Sequence, residues 1–200
     1  MNERDGVVHD FTRKGGVEHC EIVLPHGMHA DWALDRSALW NAAEHSENRK
    51  DSRVAREFEI ALPHELSEQG RIEAARVFAQ HVADRFGAAV DFAIHAPHEQ
   101  GDIRNYHAHV MMTTRQVRQH GLGEKTILEQ KNARLLSQGL PTTDMQLRDI
   151  RQAWETIANA QLQGEGLDIR IDHRSHLERG LELVPTEHMG VNASQMQRKG

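Results

Sequence analysis

AAVDFAIHAPHEQGDIRNYHAHVMMTTRQV, residues 88 to 117, decides how this chain is read. It contains two alternating runs, Ala88–His95 and Tyr106–Val117, separated by a loop rich in Pro, Gly, Asp and Asn. Successive side chains of a strand point to opposite faces. In the first run Val90, Phe92 and Ile94 therefore share one face, and Asp91, Ala93 and His95 share the other. In the second, Tyr106, Ala108, Val110 and Met112 oppose His107, His109, Met111 and Thr113. Each run reads as a half-buried strand with one apolar and one polar side.

The neighbouring sequence repeats the pattern. Glu18–Leu24 sets Cys20, Ile22 and Leu24 against His19, Glu21 and Val23; the apolar set is expected inside, with Cys20 as a core residue. Glu57–Leu62 sets Phe58, Ile60 and Leu62 against Glu57, Glu59 and Ala61. Leu167–His173 completes five expected strands. Between them, Ile72, Ala75, Ala79, Val82 and Phe86 form a helical stripe over Ser67–Phe86. Leu147, Ile150, Trp154, Ile157 and Leu162 form another over Thr143–Gln163, with Thr143 and Gln146 as a capping box and Gly164 as the stop. A shorter helix is expected over Asp31–Glu44. Residues 118–142 are a polar excursion containing a short helix, and 175–200 are a C-terminal tail. The predicted architecture is α+β: a largely antiparallel five-stranded sheet backed by helices on one face, within one domain spanning 1–200.

Composition narrows the function. Of 200 residues, 27% are charged and 38% hydrophobic, which suits a globular domain. No apolar run is long enough to span a membrane, and MNERDGVVHD lacks the apolar core of a secretory signal. A single cysteine excludes an internal disulfide framework. The formal net charge of −6 excludes a basic nucleic-acid coat and leaves room for a local basic groove.

The polar face carries the chemistry. His107-Ala-His109 places two imidazoles roughly 7 Å apart along one strand face. A third imidazole from the adjacent strand, His95, completes a three-histidine face with open positions for substrate oxygens. His98, in the connecting loop, is the alternative third ligand. Glu57 or Glu59 lies where a carboxylate can orient a ligand's other nitrogen. Neutral imidazoles suit a divalent ion such as Mn²⁺, Zn²⁺, Ni²⁺ or Co²⁺; Mg²⁺ is a further option. Arg104, Arg56, Arg53 and Lys50 are the expected contacts to phosphates, with a solvated helix-to-strand junction as the plainer reading of the last three. Tyr106 alternates away from the histidines and is expected under a helix.

The segment from Ala93 to Arg115 resembles the histidine motif of the MobA/MobL family of conjugative relaxases. VHDFTRKGGVEHCEIVLP, DRSALWNAAE, RKDSRVARE, ALPHELS, IDHRS and PTEHMG follow in the family's order. The resemblance implies an HUH-endonuclease fold, in which two histidines flank a bulky residue; here Ala108 stands between them. It implies site- and strand-specific nicking of a plasmid transfer origin through a phosphotyrosine intermediate. The implied metal ligands are His95, His107 and His109, with Glu57 behind them. The implied partners are single-stranded DNA, relaxosome accessory proteins and a type IV secretion coupling protein, in the cytoplasm. The family's tyrosine-bearing helix precedes a segment with which this chain nearly begins, so an N-terminally trimmed domain without its nucleophile is expected. Two other readings compete. One is a non-catalytic single-strand-binding remnant; the other is an unrelated three-histidine metalloenzyme, with a cupin disfavoured by the two helical stripes.

Overall fold

A computed structural model describes residues 16–49, 51–98, 102–174 and 178–180. In chain order the elements are β1 (Val17–Val23), a 3-10 turn (Asp31–Leu34), α1 (Arg36–His45), β2 (Ala55–Ala61), α2 (Glu68–Phe86), β3 (Ala88–His95), β4 (His107–Arg118), β5 (Gly121–Lys125), a 3-10 turn (Ile127–Glu129), α3 (Asn132–Ser137) and α4 (Thr143–Gly164). The fold is α+β. The strands form one open antiparallel sheet in the order β1-β3-β4-β2, and β5 pairs with the end of β4 beyond β2.

The helices start and stop where their chemistry directs. Ser67 caps α2 by accepting the Gly70 amide at 3.0 Å. Gly87, at φ 64°, takes the left-handed conformation that ends α2 and turns the chain straight into β3. Helices α2 and α4 back one face of the sheet. Their core joins Phe78, Val82 and Phe86 of α2 to Val90, Phe92 and Ile94 of β3, Val110 and Met112 of β4, and Ile150 of α4. Trp154 meets Phe78 edge to face at 5.5 Å. Tyr106 packs against this core, with the Arg71 guanidinium 3.9 Å over its ring.

Four readings are corrected. Leu167–His173 is not a strand: Asn159 of α4 accepts the Ile171 amide at 2.8 Å and donates to its carbonyl at 3.0 Å, and Glu155 accepts the His173 amide. The backbone polar groups that a sheet would satisfy are met by α4 side chains. The fifth strand is Gly121–Lys125, inside the expected polar excursion, where a tight turn after β4 carries it despite two glycines. Thr142, not Thr143, caps α4, and its oxygen accepts the Met145 amide, so the Thr143–Gln146 box is absent. Met145, in the first turn of α4, is 54% exposed.

The fourth correction concerns β1, whose faces are inverted. Val23 belongs to the main core, and Glu21 turns to the helix side to meet Arg76 of α2 at 2.9 Å. Ile22 and Leu24 point the other way, into a second apolar cluster with Leu39 of α1, Ala33, Ala89 and Val117. Cys20 shares that side and is exposed rather than core. The two long helices thus lie on one face as expected, and α1 covers one end of the other.

Candidate functional site: a histidine cluster on the open sheet face

The uncovered end of the second face carries the histidines. Register brings them together: His95 of β3 lies directly opposite His107 of β4, and Ala93 lies opposite His109. The small Ala93 leaves room between the rings. Ring centroids are 5.4 Å apart for His95–His107, 5.0 Å for His95–His109 and 5.3 Å for His107–His109. The cluster borders a recess of about 690 Å³ lined by Gly16, Ala96, Pro97, His98 and Asn105.

Hydrogen bonds fix two of the three tautomers. His109 Nδ1 donates to Glu57 Oε1 at 2.7 Å, and His107 Nδ1 donates to the Asn105 carbonyl at 3.0 Å. In both rings it is therefore Nε2, the other nitrogen, that is left for a metal ion. Burial pushes the His95 imidazole below its ordinary pKa, with His109 and His107 adding to the shift, so it stays neutral at pH 7. Three imidazoles and a carboxylate behind one of them fit a divalent ion in chemistry. His95 and His107 stack nearly parallel, 14° apart, and the donor atoms of the three rings do not all lie within 4.8 Å of one another. The tighter grouping among the described residues is elsewhere: donor atoms of Glu155, Asp172 and His173 all lie within 4.8 Å of one another. There Asp172 is already forked by Arg174 and Glu155 receives His173, so both carboxylates already have donors.

The cationic residues divide. Arg104 sits in the loop leading to His107, exposed, with its guanidinium on Asp102 at 2.9 Å. Arg56 is not on the histidine face. It alternates with Glu57, shares the side of Met112, and gives its Nε to Glu129 at 2.6 Å, where Arg53 also binds at 3.1 Å. These two arginines fasten the Ile127–Glu129 turn to the edge of β2 and do not face the histidines. Lys50 lies outside the described residues.

Sequence reasoning passed over Arg36, the first residue of α1. Its Nε and Nη2 both reach the Asp91 carboxylate at 2.7 Å, and Trp40 Nε1 donates to the same carboxylate at 3.0 Å. Asp91 is 5% exposed and shares the face of His95. An acidic residue on the polar side of an otherwise apolar strand was the signal: a buried carboxylate demands a cation from a facing element.

An open antiparallel sheet, helix-backed on one side and histidine-bearing on the other, defines an α+β domain of the mobilization-protein type. The MobA/MobL family model matches residues 1–199, and the chain belongs to that family. It is 37% identical over 220 residues to mobilization protein MobL of Acidithiobacillus ferridurans, covering 99% of this chain and 56% of that protein. It is 31% identical to conjugal transfer protein TraA of Agrobacterium fabrum, over 98% of this chain and 19% of TraA. The chain thus spans about half of the first relative and a fifth of the second. A solved structure described as "Molecular Basis of Vancomycin Resistance Transfer in Staphylococcus aureus" superposes with TM-score 0.66 at 28% identity, over 82% of this chain and 78% of that one.

Proposed function

We propose that this chain is the DNA-processing domain of a conjugative relaxase, which holds a divalent ion on His95, His107 and His109 and binds the single strand of a transfer origin across the open sheet face. The observation that carries the reading is the meeting of three imidazoles on the uncovered face, two with Nδ1 tethered. A divalent ion there supplies Lewis-acid polarisation of the scissile phosphate. The chain's own groups do the rest. Glu57 fixes the His109 ring, the Asn105 carbonyl fixes His107, and Arg104, paired with Asp102, offers a cation in the loop that leads to His107. Relaxosome accessory proteins and a type IV secretion coupling protein are the partners this role entails.

The same reading assigns nicking to a phosphotyrosine pathway. Tyr106 is the one tyrosine in the sequence, and it packs on the helix side, away from the histidines. A nucleophile must come within about 3–3.5 Å of the reacting phosphorus, so Tyr106 is not the attacking tyrosine of that pathway. That placement also favours a second reading, a domain that binds single strands without cleaving them.

Calorimetric titration with Mn²⁺ tests the first step. Wild type should bind one ion and His107→Ala/His109→Ala none; unchanged affinity in the double variant would remove the assignment. His95→Ala should lose affinity while His98→Ala keeps it. A labelled origin strand mixed with this chain should give no covalent adduct on a denaturing gel. An adduct that disappears in Tyr106→Phe would overturn the face argument.

A further inference from the structure

Between the histidines and the cluster under α1, the open face carries one half-exposed guanidinium, Arg36, with 50% of its side chain accessible. Its position follows from register. Arg36 Nη1 lies 3.7 Å from Cys20 Sγ. Cys20 pairs with Ala93, Ala93 with His109, and His109 with Glu59, so the four residues form one row across β1, β3, β4 and β2. Two strand spacings place Cys20 about 10 Å from His109. The Nη1 end of the guanidinium therefore reaches the β1 end of the row that carries His109.

We infer that Arg36 contacts a backbone phosphate of the strand lying across the histidine face, with Asp91 and Trp40 as the groups that position it. The inference rests on the single-strand reading above and assigns it a specific contact. Asp91 takes the Nε–Nη2 edge in a two-bond fork, and Trp40 fills a further position on the carboxylate. The long side chain is thus immobilised before any ligand arrives, so little rotamer entropy remains to be lost on binding. Nη1, whose neighbour among the described residues is the weakly accepting Cys20 sulfur, keeps donors for an anion. The partner carboxylate is buried beneath the guanidinium, so an anion arriving from solvent meets the positive group first. The fork to Asp91 holds the guanidinium charged by raising its pKa further. The charges on β2 beside the histidine row are carboxylates: Glu57, occupied by His109, and Glu59, opposite His109. Arg53 and Arg56, which the sequence offered for this task, are held by Glu129.

The test uses fluorescence anisotropy of a labelled oligothymidylate over a range of salt concentrations. Losing one charge-assisted contact should weaken Arg36→Gln by about ten- to a hundredfold. It should also flatten the dependence of log affinity on log salt by about 0.7, the increment for one single-strand phosphate. Arg36→Lys keeps a cation beside Asp91 and loses the fork; it should bind more weakly than wild type and better than Arg36→Gln. A probe with neutral methylphosphonate linkages should narrow the gap between wild type and Arg36→Gln. Mn²⁺ titration of the histidines reports that each variant is folded; if Arg36→Gln fails it, Arg36→Lys decides. Equal affinity and equal salt slope in wild type and the folded variants would overturn the Arg36 contact and leave the DNA reading standing. No binding by wild type at low salt would overturn both.

Discussion

Glu47 shows how one side chain holds the covered end of the sheet. Its carboxylate, 6% exposed, accepts Arg115 Nε of β4 at 2.9 Å and Lys125 Nζ of β5 at 2.5 Å. Burial alone would raise its pKa, but the hydrogen bonds from Lys125 and Arg115 outweigh burial and bring it below 4.5. Glu47→Gln should destabilise the fold by roughly 2 kcal/mol, because two half-buried cations lose their counter-charge. A depressed carboxyl contributes stability that is present above the unfolded pKa and lost as pH falls through the folded one. The gap in melting temperature between wild type and Glu47→Gln should therefore be full at pH 7 and shrink below pH 4.5. A pH-independent gap would show that packing, not charge, sets it. At this scale the histidines were legible because a strand's period of two sorts His95, His107 and His109 without knowledge of the fold. The partners of Asp91 and Glu47 were not, since each cation lies 55 or more positions away along the chain.

Elements were legible where pattern and environment agree. β3 and β4 are covered by helices on one side, and their alternation reads directly. β1 misleads because it has apolar neighbours on both faces: α2 reaches Val23, and the α1 cluster reaches Ile22 and Leu24. Assuming a single core turns such a strand over. Leu167–His173 misleads for another reason. Alternation reports a half-buried extended chain, and side chains of α4 serve such a chain as well as a neighbouring strand does. The junction of α2 and β3 gives the prediction at this scale. Gly87 sits at φ 64°, and a Cβ there would meet Gln116 Cγ at an ordinary 3.6 Å. The cost of Gly87→Ala is thus backbone strain alone, about 1–2 kcal/mol. Gly87→Asn should recover part of it, since Asn tolerates the left-handed region. Chemical denaturation of the three proteins checks the order Gly, Asn, Ala. Equal midpoints for Asn and Ala would point to a clash instead of strain.

Over the whole molecule, charge and coverage are set against each other. The formal net charge is −6, yet the face left uncovered by helices is the one expected to meet a polyanion. Attraction must then be local, from Arg36, Arg104 and any bound cation, with Glu57 and Glu59 opposing it on the same face. Screening confines such effects to about a Debye length, roughly 8 Å at physiological salt. That separates two substitutions with the same effect on total charge. Glu59→Gln removes a negative charge opposite His109, and Asp168→Asn removes one from an exposed position just beyond α4. If the strand crosses the histidine row, Glu59→Gln should raise oligothymidylate affinity about threefold at moderate salt, the effect of roughly 0.6 kcal/mol of relieved repulsion. Asp168→Asn should leave affinity unchanged there, and the two should converge only at low ionic strength, where the Debye length reaches about 30 Å. Equal responses at moderate salt would mean that the protein attracts DNA through its overall charge, and the open face would lose its claim to be the path.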